Sequence, residues 1–166
     1  MVLAGKNGGE GKSFFLRPLL QVFGEDDVFS NPPRSNFPLV DLPGKKVVFL
    51  DDWRLNETIV SYADQGLWFE GAGLPIARPQ NTPGAKGHLM YRGSAPILMT
   101  TGLENVESLR RLAEAEGAGH DENASMMMRR LKVFNFTTAL PKPTCKINYC
   151  KRCFATMLFT ETAAYF

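Results

Sequence analysis

The chain has 166 residues, 44% of them hydrophobic and 22% charged, which suits one soluble globular domain with a full-sized core. Its formal net charge of +2 gives no bulk signature of a nucleic-acid binder, so such a role would need a local patch. No apolar run approaches the ~20 residues of a membrane span, and an odd set of three cysteines points to a reducing, intracellular setting, cytoplasm or nucleus.

Met1-Val2-Leu3-Ala4 is a short apolar run that enters Gly5-Lys6-Asn7-Gly8-Gly9-Glu10-Gly11-Lys12-Ser13 directly, so a signal peptide is not expected. A buried strand, a glycine-rich loop and a helix opening on Gly-Lys-Ser are the parts of a phosphate-binding loop. Glycines let backbone N–H groups turn toward phosphate oxygens, and the helix N-terminus adds positive dipole. Lys12 would reach the β- and γ-phosphates, and Ser13 would ligate Mg²⁺. The common spacing places a glycine five residues before Gly11. Lys6 stands there, with Gly5 one further back, so the loop has an extra residue or lacks its first glycine.

Phe15, Leu16, Leu19, Leu20 and Phe23 recur at helical spacing and predict a helix of about three turns. Pro18 should kink or shorten it, and Gly24 closes it. Residues 25–45 read as a short strand at Val28-Phe29 and a loop-rich excursion, with a helical turn over Phe37–Leu42. Lys46-Val47-Val48-Phe49-Leu50-Asp51-Asp52 predicts a strand buried on both faces that ends in two carboxylates. At the C-terminal edge of a parallel sheet, such acids can hold Mg²⁺ and orient a water for attack on the γ-phosphate. Asp-Asp after a strand can also simply start a turn.

Asn56 reads as the N-cap of a helix that turns Ile59, Val60, Ala63 and Leu67 inward and ends near Gly66–Gly71. Residues 75–93 suggest a β-hairpin with a basic tip around Gly84-Ala85-Lys86-Gly87. Ala95–Thr101 predicts a third buried strand. A helix follows, with Val106, Leu109 and Leu112 inward, and then a loop over Gly117–Glu122. Met126–Met128 reads as core packing, and Leu131–Phe136 alternates as a strand. Alternating strands and helices predict an α/β domain with a mostly parallel sheet, three layers deep, over residues 1–140. Residues 141–166 form a cysteine-containing tail. The abrupt start and apolar end suggest a fragment of something longer.

These motifs, in this order, resemble the ATPase domain of superfamily 3 helicases, the viral replication motors related to AAA+ proteins. GKNGGEGKS is similar to Walker A, VVFLDDW to Walker B, APILMTTG to motif C, and RRLKVFNF to the segment with the family's arginine finger. The stretch from Leu74 to Pro96 stands where the family places its hairpin. The resemblance implies a three-layer αβα P-loop NTPase fold and ATP and Mg²⁺ as ligands. It implies phosphate binding by residues 5 and 7–13 (Gly5, Asn7, Gly8, Gly9, Glu10, Gly11, Lys12, Ser13). Ser13, Asp51 and Asp52 would serve the metal and Asp51 and Asp52 the attacking water. Lys86 and His88 would face nucleic acid, single-stranded DNA or RNA, in the pore of a homo-oligomeric ring, a hexamer. Arg130, with Arg129 as substitute, would reach the next subunit's ATP. No membrane is implied.

One departure concerns motif C, which ends in asparagine in this family. Gly102 stands at that position, so Thr101 would replace it as the hydrogen bonder. A degenerate module that binds nucleotide or nucleic acid without turnover is the alternative reading, and a phosphate-loop kinase of small substrates is a poorer match. Cys145, Cys150 and Cys153 offer three of the four ligands a structural zinc site takes, so free thiols are expected there rather than zinc. Trp53 reads as a packing residue, and Lys86 and His88 could equally belong to a solvated loop.

Overall fold

The structure is a computed structural model that describes residues 1–6, 8–20, 22–55, 59–79, 88–136, 139, 145, 150, 152, 153, 155 and 156. Its elements in chain order are β1 (Val2–Gly5), α1 (Lys12–Leu20), β2 (Val28–Ser30), β3 (Val47–Leu50), α2 (Tyr62–Glu70), β4 (Leu74–Ala77), β5 (His88–Tyr91), β6 (Ile97–Gly102), α3 (Leu103–Glu114), α4 (Glu122–Arg130) and β7 (Val133–Phe136).

Five strands form one sheet in the order β2-β3-β6-β1-β7, and every neighbouring pair is parallel. All four residues of β1 and all four of β3 are buried, as continuous apolar runs in a two-sided parallel sheet must be. Side chains alternate between the faces. Leu3, Phe49 and Leu98 pack with Phe15, Leu16 and Leu20 of α1. Val2, Ala4, Val48, Leu50 and Met99 pack on the other face with Trp68 of α2, Val106 and Leu109 of α3, and Ala124 and Met127 of α4. The fold is therefore three-layered αβα, as the alternation of elements implied. Strand β6 lies between β1 and β3, so the glycine-loop strand and the acidic strand are not neighbours.

A second sheet pairs β4 with β5 antiparallel, with Ala77 opposite His88. This matches the expected hairpin, although its tip at residues 80–87 lies outside the described residues.

Local readings hold at α1 and at the end of α2, and differ at the start and buried face of α2, at α4 and at Leu112. Helix α1 ends at Leu20, within the range that Pro18 allows. Helix α2 starts later than expected, because the Ser61 hydroxyl caps it by accepting from Asp64 N–H. The expected cap Asn56 lies outside the described residues. Tyr62, Gln65, Gly66 and Trp68 form the buried face of α2, while Ala63 is exposed. The end of α2 falls within the expected Gly66–Gly71 range, beyond Gly66, and Gly71, at φ +73°, caps it. Glu122–Arg130, where a loop end and a core-packing methionine run but no helix were expected, forms α4, capped by the Asp121 carboxylate, which accepts from Asn123 and Ala124 N–H. Leu112, expected inward, is exposed, because α4 packs where only Val106 and Leu109 of α3 are covered.

Candidate phosphate-binding site

Strand β1 delivers Gly5 to the C-terminal edge of the sheet, and α1 begins at Lys12. Between them, Gly9 (φ +83°) and Gly11 (φ +95°) adopt left-handed backbone that a side chain would strain. Gly5 instead leaves room for two side chains. A Cβ there would lie 1.7 Å from Glu10 Oε2 and 2.6 Å from Lys12 Nζ. These two side chains fold over the end of β1. Their charged groups stand 2.6 Å apart and are 8% (Glu10) and 13% (Lys12) exposed. The hollow of the loop thus holds an anion, the Glu10 carboxylate, at a helix N-terminus where a phosphate would be bound. The longer spacing of the loop is accommodated with Gly5 at the point of close approach. Asn7 lies outside the described residues, and the space around Gly8 is open.

Asp51 follows β3 and is held at every polar atom. Ser13 Oγ donates to its Oδ1 at 2.5 Å, and Thr100 Oγ1 donates to the same oxygen at 2.8 Å. Arg17 Nη2 pairs with Oδ2 at 2.7 Å. The Asn31 side chain clamps the backbone, donating to Asp51 O at 2.6 Å and accepting from Asp51 N–H at 2.7 Å. Burial alone would raise the Asp51 carboxyl pKa. The hydrogen bonds from Ser13, Arg17 and Thr100, with the charge of Arg17, outweigh it and hold the carboxyl below the ordinary 3.8.

The chain then turns sharply. Asp52 takes φ +50°, the one left-handed non-glycine backbone among the described residues. This conformation costs about 1 kcal/mol, and three contacts to β6 hold it. Asp52 N–H donates to Thr100 Oγ1 at 2.8 Å, Trp53 N–H donates to Thr100 O at 2.8 Å, and Thr101 Oγ1 donates to Trp53 O at 2.6 Å. The turn leaves the Asp52 side chain exposed at the sheet edge, with no partner among the described residues. An open cleft of about 480 Å³ beside it is lined by Arg17, Ser30, Asn31, Asp51 and Asp52.

The structure therefore brings Lys12, Ser13, Asp51 and Asp52 to one edge of the sheet. Thr101 is placed otherwise. Its buried hydroxyl serves Trp53 O and receives Asn105 Nδ2 at 3.1 Å, while its neighbour Thr100 touches Asp51. Gly102 lies in register with Gly5, and a Cβ on it would collide with the Glu104 carboxylate at 2.1 Å. Arg130 lies at the opposite edge, paired with Glu70 at 2.7 Å beside a cavity of about 290 Å³ that Met1, Val2 and Ile97 also line. Lys86 and the side chain of His88 lie outside the described residues.

Sequence reasoning missed Arg17, Asn31 and Thr100. Arg17 had a signal, since it lies four residues beyond Ser13 on the same helix face. Asn31 and Thr100 had none, because their roles depend on which strands flank β3.

No family model matches the chain, and no curated protein matches it. Among solved structures, the A-form apo structure of the NrS-1 C-terminal region is similar, at TM-score 0.54 and 17% identity over 94% of this chain. A second apo structure of that region matches at TM-score 0.50 and 14% identity over 94% of this chain. The chain spans about a third of those solved chains, 33% in each case. At this identity the likeness is one of fold.

Among the described residues, no helix is long and apolar enough to cross a membrane.

Proposed function

We propose that this chain binds a magnesium-bound nucleoside triphosphate at the C-terminal edge of its sheet and hydrolyses it, as the ATP-driven motor of a replication helicase. The observation that carries this reading is the Ser13–Asp51 hydrogen bond, which joins the glycine-loop helix to the acidic strand. Hard oxygen donors from one hydroxyl and one carboxylate suit Mg²⁺, which would neutralise charge developing on the phosphates when bound. Ser13 and Asp51 are the residues that would hold it.

The chain's own groups divide the remaining work. Lys12 exchanges the Glu10 carboxylate for phosphate oxygens. Asp52, exposed at the edge beside the fully engaged Asp51, orients the attacking water and accepts its proton. The motor role rests on the resemblance to superfamily 3 helicases. In that role Lys86 and His88 grip the backbone of single-stranded nucleic acid, DNA in the first instance. Arg130 leaves Glu70 to serve the nucleotide of the next subunit in a hexameric ring.

The test is ATP hydrolysis by the purified chain with and without single-stranded DNA. Lys12→Ala and Asp52→Asn should each lower turnover by ~10²-fold or more. No hydrolysis under any condition would overturn the reading. A second reading, nucleotide binding without turnover, is favoured by one observation: at motif C, Thr101 is committed to Trp53 and Gly102 has no side chain. It predicts saturable nucleotide binding, lost in Lys12→Ala, with no hydrolysis even when DNA is present.

A further inference from the structure

Cys145, Cys150 and Cys153 belong to no strand of the sheet, and their three Sγ atoms fall within 4.8 Å of one another. We propose that they form a zinc site, with three thiolates as ligands and a fourth donor supplied from outside the cluster.

The number of thiols in the cluster, three, favours a metal over a disulfide. Cys145 and Cys153 Sγ stand 3.0 Å apart, well beyond the ~2.05 Å of a sulfur–sulfur bond, and none of the three cysteines is joined to another. Tetrahedral zinc with Zn–S bonds of ~2.3 Å sets its sulfurs ~3.8 Å apart. The observed cluster brackets that value, so shifts below about 1 Å would seat all three around one ion. A disulfide would use two thiols and leave the third beside it. A metal uses all three.

The local sequence is consistent. The spacing Cys-x₄-Cys-x₂-Cys contains a Cys-x₂-Cys pair, and Arg152–Cys153 is helical, which turns the pair's second thiol back toward the first. Three thiolates on a divalent ion carry one net negative charge, and Lys146, Lys151 and Arg152 are interleaved with the ligands. Soft thiolates select zinc over the hard cation proposed at Asp51. The expectation of free thiols rested only on the missing fourth ligand, which three thiols this close together outweigh. The ion would staple the segment from Cys145 to Cys153 into one structured turn, contributing folding energy to it.

The test uses the full chain, purified without chelator and then loaded with zinc. Metal analysis should find about one zinc per chain. Cobalt substitution should give the sulfur-to-cobalt charge-transfer band of thiolate ligation. Cys145→Ser, Cys150→Ser and Cys153→Ser should each weaken zinc binding by ~10²-fold or more in a chelator competition. Circular dichroism should show the core of each variant unchanged, which separates ligand loss from misfolding. Three results would overturn the proposal: no zinc retained after loading, a cobalt spectrum without a thiolate band, or a mass two hydrogens lower that maps to a Cys145–Cys153 disulfide.

Discussion

Ser13 and Asp51, thirty-eight residues apart in the chain, meet at 2.5 Å across the C-terminal edge of the sheet. One is the first hydroxyl of the glycine-loop helix and the other the first carboxylate after the acidic strand. Strand β6 lies between β3, which leads into Asp51, and β1, which leads into the glycine loop, and joins the contact through Thr100. The loop, the acid and the intervening strand are therefore joined in one hydrogen-bonded unit.

Replacing Asp51 tests that unit. Asp51→Ala leaves Ser13, Thr100 and Arg17 without their shared acceptor and should cost about 1–3 kcal/mol of stability, read from urea denaturation. Hydrolysis should fall more steeply than stability. Wild-type stability in the variant would show that the three contacts contribute nothing net.

The same carboxyl predicts a pH dependence. Its folded pKa lies below the ordinary 3.8, so its contribution is present above that value and is lost as pH falls through the folded pKa. Denaturation midpoints followed from pH 6 downward should decline less in Asp51→Asn than in the parent chain. Parallel curves for the two proteins would contradict the assignment.

On the proposed function, Glu10 would compete with phosphate for Lys12. The carboxylate occupies the hollow above Gly5, 2.6 Å from the ammonium. Glu10→Gln keeps the shape and removes the charge. It should tighten nucleotide binding about 3- to 10-fold, or ~0.7–1.4 kcal/mol, measured with a fluorescent nucleotide. Weaker binding in the variant would mean that Glu10 supports the loop rather than occupying its anion position.

Gly66 lies inside α2, where a Cβ would meet Arg130 Nη1 and Met126 Cε, each at 3.9 Å, an ordinary contact distance. Gly66→Ala should therefore stabilise the chain by about 0.5–1 kcal/mol through helix propensity and a less flexible unfolded chain. Gly66→Leu should destabilise it by about 1–3 kcal/mol, because α4 packs directly against this face. Thermal melts of the two variants, moving in opposite directions, are the readout.

The sequence by itself determined the elements whose signal is local. Val2–Gly5 and Val47–Leu50 read as buried strands because every residue is apolar, and the structure buries every one. The glycine turn before Lys12 and the acids at Asp51 and Asp52 were legible because their signal is also local: clustered glycines, and two adjacent carboxylates closing an apolar run. Helix α4 was missed because its cap, Asp121, follows two glycines that read as a loop, and its moderately apolar face shows only Ala124 and Met127 buried. The start of α2 was misplaced because Asn56 and Ser61 are equally good caps on paper, and only burial of Tyr62, Gln65 and Trp68 chooses between them.

Strand order could not be read at all. Nothing local to β6 says that it inserts between β1 and β3, yet that insertion gives Thr100 to Asp51 and turns Thr101 toward Trp53. Adjacent residues on a strand point to opposite faces, so the choice between two neighbouring threonines is made by sheet register, a long-range property. The identity of the groups at the site was written in the chain. Their partners were decided by which strands the tertiary structure set side by side.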